Sequence, residues 1–343
     1  MTMGRTGWKG RIAYMKRNKV ILLFAAAVMI LCMALICAMS AVSALKQGGG
    51  GMQFFSFGGR AELRNTIEIE ASQADRLKLI YRSKNIKFYP SKDSKIVVKE
   101  YLYSGRPEAK ATVTSRDGEV VIEGAAFHTF VFFGFFWGEG ERIEVYVPEK
   151  TLEELWVETG SGNITSQAGA VEAEKSIRAE AGSGNIKWQK SAADEIFIQA
   201  GSGNVKAEGL KGNISLRTGS GNISGADLKG MLDVHAGSGN VTLSDVAGSG
   251  KVEAGSGNVK VEASEVTGDI AIHTNSGNNS LEIPGDLSFH FRADTGSGNI
   301  HTDFEDLLSY NKKGNHKEGD VGDGSRVTIS MEAGSGNVRI RRR

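Results

Sequence analysis

His235, Glu253 and His273 each stand two residues before a Gly-Ser-Gly-Asn or related turn, on three successive repeat units. Strands stacked in register would hold them about 5 Å apart, and a histidine–carboxylate–histidine set is one that zinc accepts. The same position in the other repeats is Glu158, Glu180, Gln199, Arg217, Asp294 and Glu332, a mixed column that ordinary cross-strand charge pairing explains. Side chains in such a ladder run parallel, and no fourth ligand is evident, so neither a metal, a cofactor nor a catalytic residue is expected. The chain has no phosphate-binding loop, nucleophile elbow or zinc-protease motif, and its repeats lack the aspartate of calcium-filled coils. With 41 Lys and Arg against 40 Asp and Glu, it carries no nucleic-acid footprint. No small-molecule substrate is indicated. An enzyme acting on polysaccharide is a distant alternative, since it needs a carboxylate-lined cleft that these columns do not supply.

The residues that recur most are not chemical but conformational. Gly-Ser-Gly-Asn begins at Gly160, Gly182, Gly201, Gly219, Gly237, Gly255, Gly296 and Gly334, with a degenerate copy at Asn275. The intervals are 22, 19, 18, 18, 18, 20, 21 and 38 residues, the spacing of a solenoid. Five residues before the turns stand Leu155, Ile177, Ile196, Ile214, Leu232, Ile270, Phe291 and Ile329, with Gly250 as the exception. A second apolar column follows two residues later, and another strand reopens just after the asparagine at Ile164, Ile186, Val205 and their equivalents. This period of two predicts strands rather than helices.

The predicted fold is all-β: a β-solenoid of about 18–20 residues per coil, each coil made of two short strands and two glycine corners. Stacking aligns the tetrapeptide asparagines, Asn163, Asn185, Asn204, Asn222, Asn240, Asn258, Asn278, Asn299 and Asn337, into a ladder. The ladder is expected to be internal, satisfying the polar groups of a corner buried between coils. Loss of Asn222 or Asn240 to alanine is then expected to cost about 1–3 kcal/mol.

Residues 151–343 form the regular solenoid, interrupted at 303–325 by a charged, glycine-rich insertion read as an exposed loop. Residues 61–150 alternate without the tetrapeptide and read as irregular coils or an N-terminal cap over the open end of the stack. Within them Phe132, Phe133, Phe135, Phe136 and Trp137 crowd around Gly134. The cluster is either a hairpin covering the core or a contact loop for the bilayer or a membrane protein. The final Arg339-Ile340-Arg341-Arg342-Arg343 is read as a basic terminal strand that opposes end-to-end stacking.

Residues 20–45 contain no charge and as a helix would run about 39 Å, more than the roughly 30 Å bilayer core, so they predict a transmembrane helix. Lys9, Arg11, Lys16, Arg17 and Lys19 precede it, which places residues 1–19 in the cytoplasm and the remainder outside. Cleavage after Val42-Ser43-Ala44 would instead give a secreted protein. Residues 46–60 are a glycine-rich linker. Both cysteines, Cys32 and Cys37, lie inside the apolar segment, so no disulfide supports the rest.

Asn65-Thr66-Ile67-Glu68-Ile69, Lys110 to Glu123, the Phe-Phe-Gly-Phe-Phe stretch at 132–136 and Glu144-Val145-Tyr146-Val147-Pro148 precede the first Gly-Ser-Gly-Asn. Together these segments resemble the bacterial putative-adhesin family of β-strand repeats over residues 61–341. The resemblance implies the repeat fold, an N-terminal membrane segment and, for some members, genes beside envelope-stress signalling systems of Gram-positive bacteria. It carries over no catalytic residues. The expected function is a non-catalytic, membrane-anchored adhesin or cell-envelope scaffold whose partners are envelope glycan or another membrane protein. The alternative is an accessory subunit of a membrane envelope-stress signalling system.

Overall fold

The computed structural model describes residues 60–125, 140–149, 152–311, 313–323 and 327–343. The segment predicted to span the membrane, the linker and the Phe132–Trp137 cluster lie outside these residues. Among the described residues the fold is all-β apart from three single-turn 3-10 helices, and no helix is long and apolar enough to cross a membrane.

Coils stack in parallel with a one-coil register. Ile186 pairs with Val205, Val205 with Ile223, Ile223 with Val241 and Val241 with Val259. Every second residue points inward, so Ile177, Ile196, Ile214, Val157, Ile198, Leu216 and Val234 form continuous apolar rows with at most 1% exposure. Trp188 is fully buried beside Phe88 at 5.5 Å, and its Nε1 donates to Ser191 Oγ at 2.9 Å. The largest side chain in the stack thus brings a polar atom inside only with a partner.

Each regular coil has three paired legs, not two. Ile186–Gln189 pairs with Val205–Glu208, Ser191–Ala192 with Leu210–Lys211, and Glu195–Ala200 with Asn213–Thr218. The additional corner is made by residues in the left-handed region: Lys190 at φ 46°, Gly209 at 66°, Asp227 at 50° and Asp245 at 53°. A two-residue leg has no period to detect, which is why the alternation alone shows two strands per coil.

The order of coils in space departs from the order in the sequence at both ends. Arg76–Tyr81 pairs in parallel with Glu119–Glu123 on one side and with Leu152–Thr159 on the other, so a later coil is outermost. At the opposite end Thr328–Ser335 pairs with Val259–Ser276 and with Phe289–Ser297, and Val338–Arg342 pairs with Asn279–Ile283 and with Ile300–Thr302. The arginine-rich strand is therefore an interior rung. It does not terminate the stack, because Val338 and Ile340 (both 0% exposed) complete the apolar rows while Arg339 and Arg341 face solvent.

Antiparallel strands close both ends. Lys95–Leu102 and Glu62–Glu70 continue from Arg142–Pro148, and Thr112–Arg116 covers Glu119–Glu123. At the other end His316–Val321 runs antiparallel to Phe289–Ser297. The described part of the 303–325 insertion is accordingly a packed cap and not an exposed loop. Phe304, Leu308 and Val321 are buried, Phe304 meets Phe289 edge-on at 5.3 Å, and the buried Lys317 pairs with Glu305. An open solenoid end exposes unpaired backbone and raw core, and these strands cover both.

Candidate functional site

The Gly-Ser-Gly-Asn corner is the most repeated local structure, and its second glycine and its asparagine have distinct tasks. A Cβ on the second glycine would lie 1.7 Å from the Gly162 carbonyl oxygen at Gly184, 1.9 Å from Gly184 at Gly203 and 2.0 Å from Gly203 at Gly221. The coils therefore touch backbone to backbone there, and hydrogen is the only side chain that fits. In several coils the residue before the corner is a buried threonine that ties the turn. Thr218 Oγ1 donates to the Gly203 carbonyl at 2.9 Å and accepts from Gly221 N–H at 3.0 Å.

Asparagine makes the ladder. Each amide oxygen accepts the backbone N–H of the next rung, as in Asn222 N–H to Asn204 Oδ1 at 2.9 Å and Asn240 N–H to Asn222 Oδ1 at 2.9 Å. Most side-chain amides also donate to the preceding oxygen, for example Asn185 Nδ2 to Asn163 Oδ1 at 3.3 Å and Asn278 Nδ2 to Asn258 Oδ1 at 2.9 Å. The spatial order is Asn85, 163, 185, 204, 222, 240, 258, 278, 337 and 299.

Two features differ from the sequence expectation. The ladder is on the surface: all nine tetrapeptide asparagines are exposed, because each precedes an inward residue and so points outward, while the second glycine takes the buried place in most corners. Asn222→Ala is therefore expected at the low end, about 1 kcal/mol, since the orphaned Asn240 N–H is left facing water. A thermal melt showing a loss of 3 kcal/mol would contradict this exposure argument. The second difference is a tenth rung, Asn85, in Arg82-Ser83-Lys84-Asn85. Only its serine and asparagine match the tetrapeptide, though the inward Ile86 after it was a usable signal.

On the strands leading into the corners, cations and aromatic rings alternate across coils. Lys78 Nζ sits 3.6 Å from the Trp156 ring centroid, Arg178 lies 4.5 Å from Phe197 and 5.3 Å from Trp156, and Arg217 is 5.7 Å from Phe197. Further along, His235, Glu253 and His273 do stack in register. Glu253 is held by Lys251 at 2.7 Å, His235 is 3.7 Å away, and His273 turns to Glu332 and Asn275. Among the described residues no group of three or more such side chains has the arrangement of a metal site. A shallow groove of about 860 Å³ crosses the neighbouring coils past Ile214, the exposed Met231, Gly250 and Ile270.

The C-terminal cap carries a second polar network. His290 Nδ1 is 2.8 Å from Asp320 and its Nε2 is 3.3 Å from Glu318. His316 Nδ1 is 2.7 Å from Asp294 and its Nε2 is 3.4 Å from Glu318. The hydrogen bond to Asp320 raises the His290 pKa above its ordinary 6.5, against a smaller opposing effect of burial. Burial pushes Asp294 up, but His316 and Arg292 together outweigh it and hold it below its ordinary 3.8.

The His290 contribution is complete below pH 6.5 and is lost as pH rises through its raised value. That of Asp294 is complete above 3.8 and is lost as pH falls through its lowered value. Amide exchange of His316–Val321, corrected for intrinsic rates, is expected to be slowest between about pH 4 and 6.5 and faster at pH 8. Equal protection at pH 6 and 8 would show that the network does not hold the cap.

No curated protein matches the chain. Among solved structures, a putative cell adhesion protein from Clostridium sporogenes aligns at 12% identity and a TM-score of 0.22, covering 81% of this chain and 98% of that one. A putative adhesin from Bacteroides fragilis aligns at 13% identity and a TM-score of 0.39, covering 84% of this chain and all of the other. Those scores are too low to carry structural argument, so the assignment rests on the family comparison and on the coil register described above. The family model described as Toastrack DUF4097 matches residues 74–341, from the first coil to the last, and the chain belongs to that family.

Proposed function

We propose that the protein is a non-catalytic scaffold of the cell envelope, anchored by residues 20–45 with residues 46–343 outside the cytoplasm, and that it binds envelope glycan along its stack. The observation that supports this best is the use of the repeat. Its glycines and asparagines are committed to joining coils, which leaves long, regular outward columns as the surface available to a partner. Such a surface suits an extended polymer better than a compact substrate. The length and flanking charges of residues 20–45 support the anchor.

The region after Cys37 has no cysteine, so a single one introduced as Arg217→Cys is a unique external reporter. A membrane-impermeant maleimide is expected to label this variant in intact cells. Labelling only after lysis would place the solenoid inside and overturn the topology. Photocrosslinkers at Arg217 and at the exposed Lys313 are expected to capture envelope polymer. Capture of a membrane sensor alone would favour the signalling-accessory role instead.

A further inference from the structure

The strands leaving the corners carry a second outward column, beginning at Lys87 and running through Thr165, Lys187, Lys206, Ser224 and Thr242. It holds no carboxylate as far as its last rung at His301. It lies two residues from the asparagine ladder on the same face, so amides, hydroxyls and ammonium groups form one strip. Across the chain as a whole the charges nearly cancel, so a ten-rung column without an acid is a local segregation of charge.

A hollow of about 320 Å³ lies on the strip, bounded by Asn85, Lys87, Asn163, Thr165, Asn185 and Lys187. The short Thr165 lies between two lysines in register with it, which sets their backbones about 10 Å apart with a notch between them. Neither Lys87 nor Lys187 has a carboxylate partner among the described residues. The nearest acid along the column, Glu144, is the rung beyond Lys87. It is buried and already engaged by Arg142 at 2.8 Å and by the Tyr146 hydroxyl at 3.0 Å.

The ladder settles which amide groups beside the notch are already engaged. Its amides run head to tail, with oxygens facing one end of the stack and NH2 groups the other. Asn85 is the last rung on the NH2 side: its Oδ1 accepts from Asn163 N–H at 2.9 Å and Nδ2 at 3.1 Å, while its own NH2 has no acceptor among the described residues. That NH2 faces away from Asn163, and so away from the notch, which leaves Lys87 and Lys187 as the notch's charged donors.

We infer that this notch binds the anionic groups of an acidic glycan that lies along the strip, with Lys87 and Lys187 on the anion and Thr165 and the asparagines on sugar hydroxyls. Acidic glycan fits better than nucleic acid because the strip from Lys87 to Thr242 offers no aromatic ring for base stacking. The inference rests on the scaffold reading and names its partner class.

The test uses the full chain in detergent, with polygalacturonate and dextran sulfate as probes against neutral dextran and single-stranded DNA. Binding of the acidic glycans, absent with neutral dextran, is expected to fall at least tenfold in Lys87→Gln/Lys187→Gln and to lose salt dependence equivalent to about two counterions. Asn85→Asp puts a negative charge on the rim of the notch and is expected to weaken acidic-glycan binding while leaving the melting temperature unchanged, because the carboxylate still accepts from Asn163. The control Lys211→Gln/Lys229→Gln, two exposed lysines on adjacent rungs of a different column, is expected to bind like the parent.

Equal binding by the lysine double variant, or tighter binding of DNA than of glycan, overturns the site. Maleimide labelling of Arg217→Cys from outside would then still leave the scaffold topology standing. Labelling only from inside would remove that topology whatever the glycan result.

Discussion

Alanine at Gly221 is expected to destabilise the protein by at least about 3 kcal/mol, enough to remove most of the margin of an ordinary domain. The added methyl carbon would sit 2.0 Å from the Gly203 carbonyl oxygen and 2.5 Å from its carbon. Both are backbone atoms of the coil beneath, so relief requires prising two coils apart and stretching the ladder bonds on either side. Overpacking commonly costs about 1–3 kcal/mol where side chains can shift, and here none is available to do so.

Gly225 supplies the internal control. A Cβ there meets Leu228 Cδ1 at 2.7 Å and Leu243 Cδ2 at 2.8 Å, the free ends of side chains with alternative rotamers. The equivalent position one coil away is Ala207. Gly225→Ala is expected to change stability by less than about 1 kcal/mol. Parallel thermal melts of the two variants decide the matter, and similar melting temperatures would mean that backbone contact between corners does not set the coil spacing.

Deleting residues 327–343 is expected to have the second large effect. It removes Ile329, Met331, Val338 and Ile340, each buried and each worth about 1.5–3 kcal/mol of transfer free energy, from between two other coils. The coil ending in Ile300–Thr302 then loses both parallel partners, and with it the cap built on Phe289–Ser297. Hydrogen exchange is expected to show residues 289–323 unprotected while residues 176–245 keep native protection, since each rung depends mainly on its neighbours. Retained protection at 289–302 would show that this coil docks directly on Asn279–Ile283 and that the inserted coil is dispensable.

The all-β solenoid was readable because inward residues obey a period of two and the turns a period near 18. Surface exposure of the ladder was readable too: Asn163 immediately precedes inward Ile164, so the same alternation that identified the strand points the asparagine outward. What misled was the frequency of the motif, which suggests burial but here reflects backbone contact at the glycines and a hydrogen-bonded ladder on the surface. The cap was obscured by composition, since Phe304, Leu308 and Val321 are scattered among charges that look solvated.

The order of the terminal coils left no mark in the sequence. Parallel coils with equivalent inward residues fit above or below one another equally well, as Phe291, Ile329 and Ile270 do in one column. Only pairing decides among such permutations. The basic notch was hidden for a different reason, because Lys87 and Lys187 are 100 residues apart and are brought into line only by the coil of Thr165, which pairs with both.

That reordering also constrains the timetable of folding. A solenoid whose coils stack in sequence order can lengthen rung by rung behind the ribosome, each new coil finding its template already in place. Here the coil at 289–302 is made before residues 328–342, yet its template is the coil they form. It must wait undocked, or dock early and be displaced, until they arrive. If it waits, the edge presented by Val259–Ser276 stays open for the same interval, and the rate of synthesis across residues 303–327 then sets how long unpaired strand is exposed to neighbouring chains.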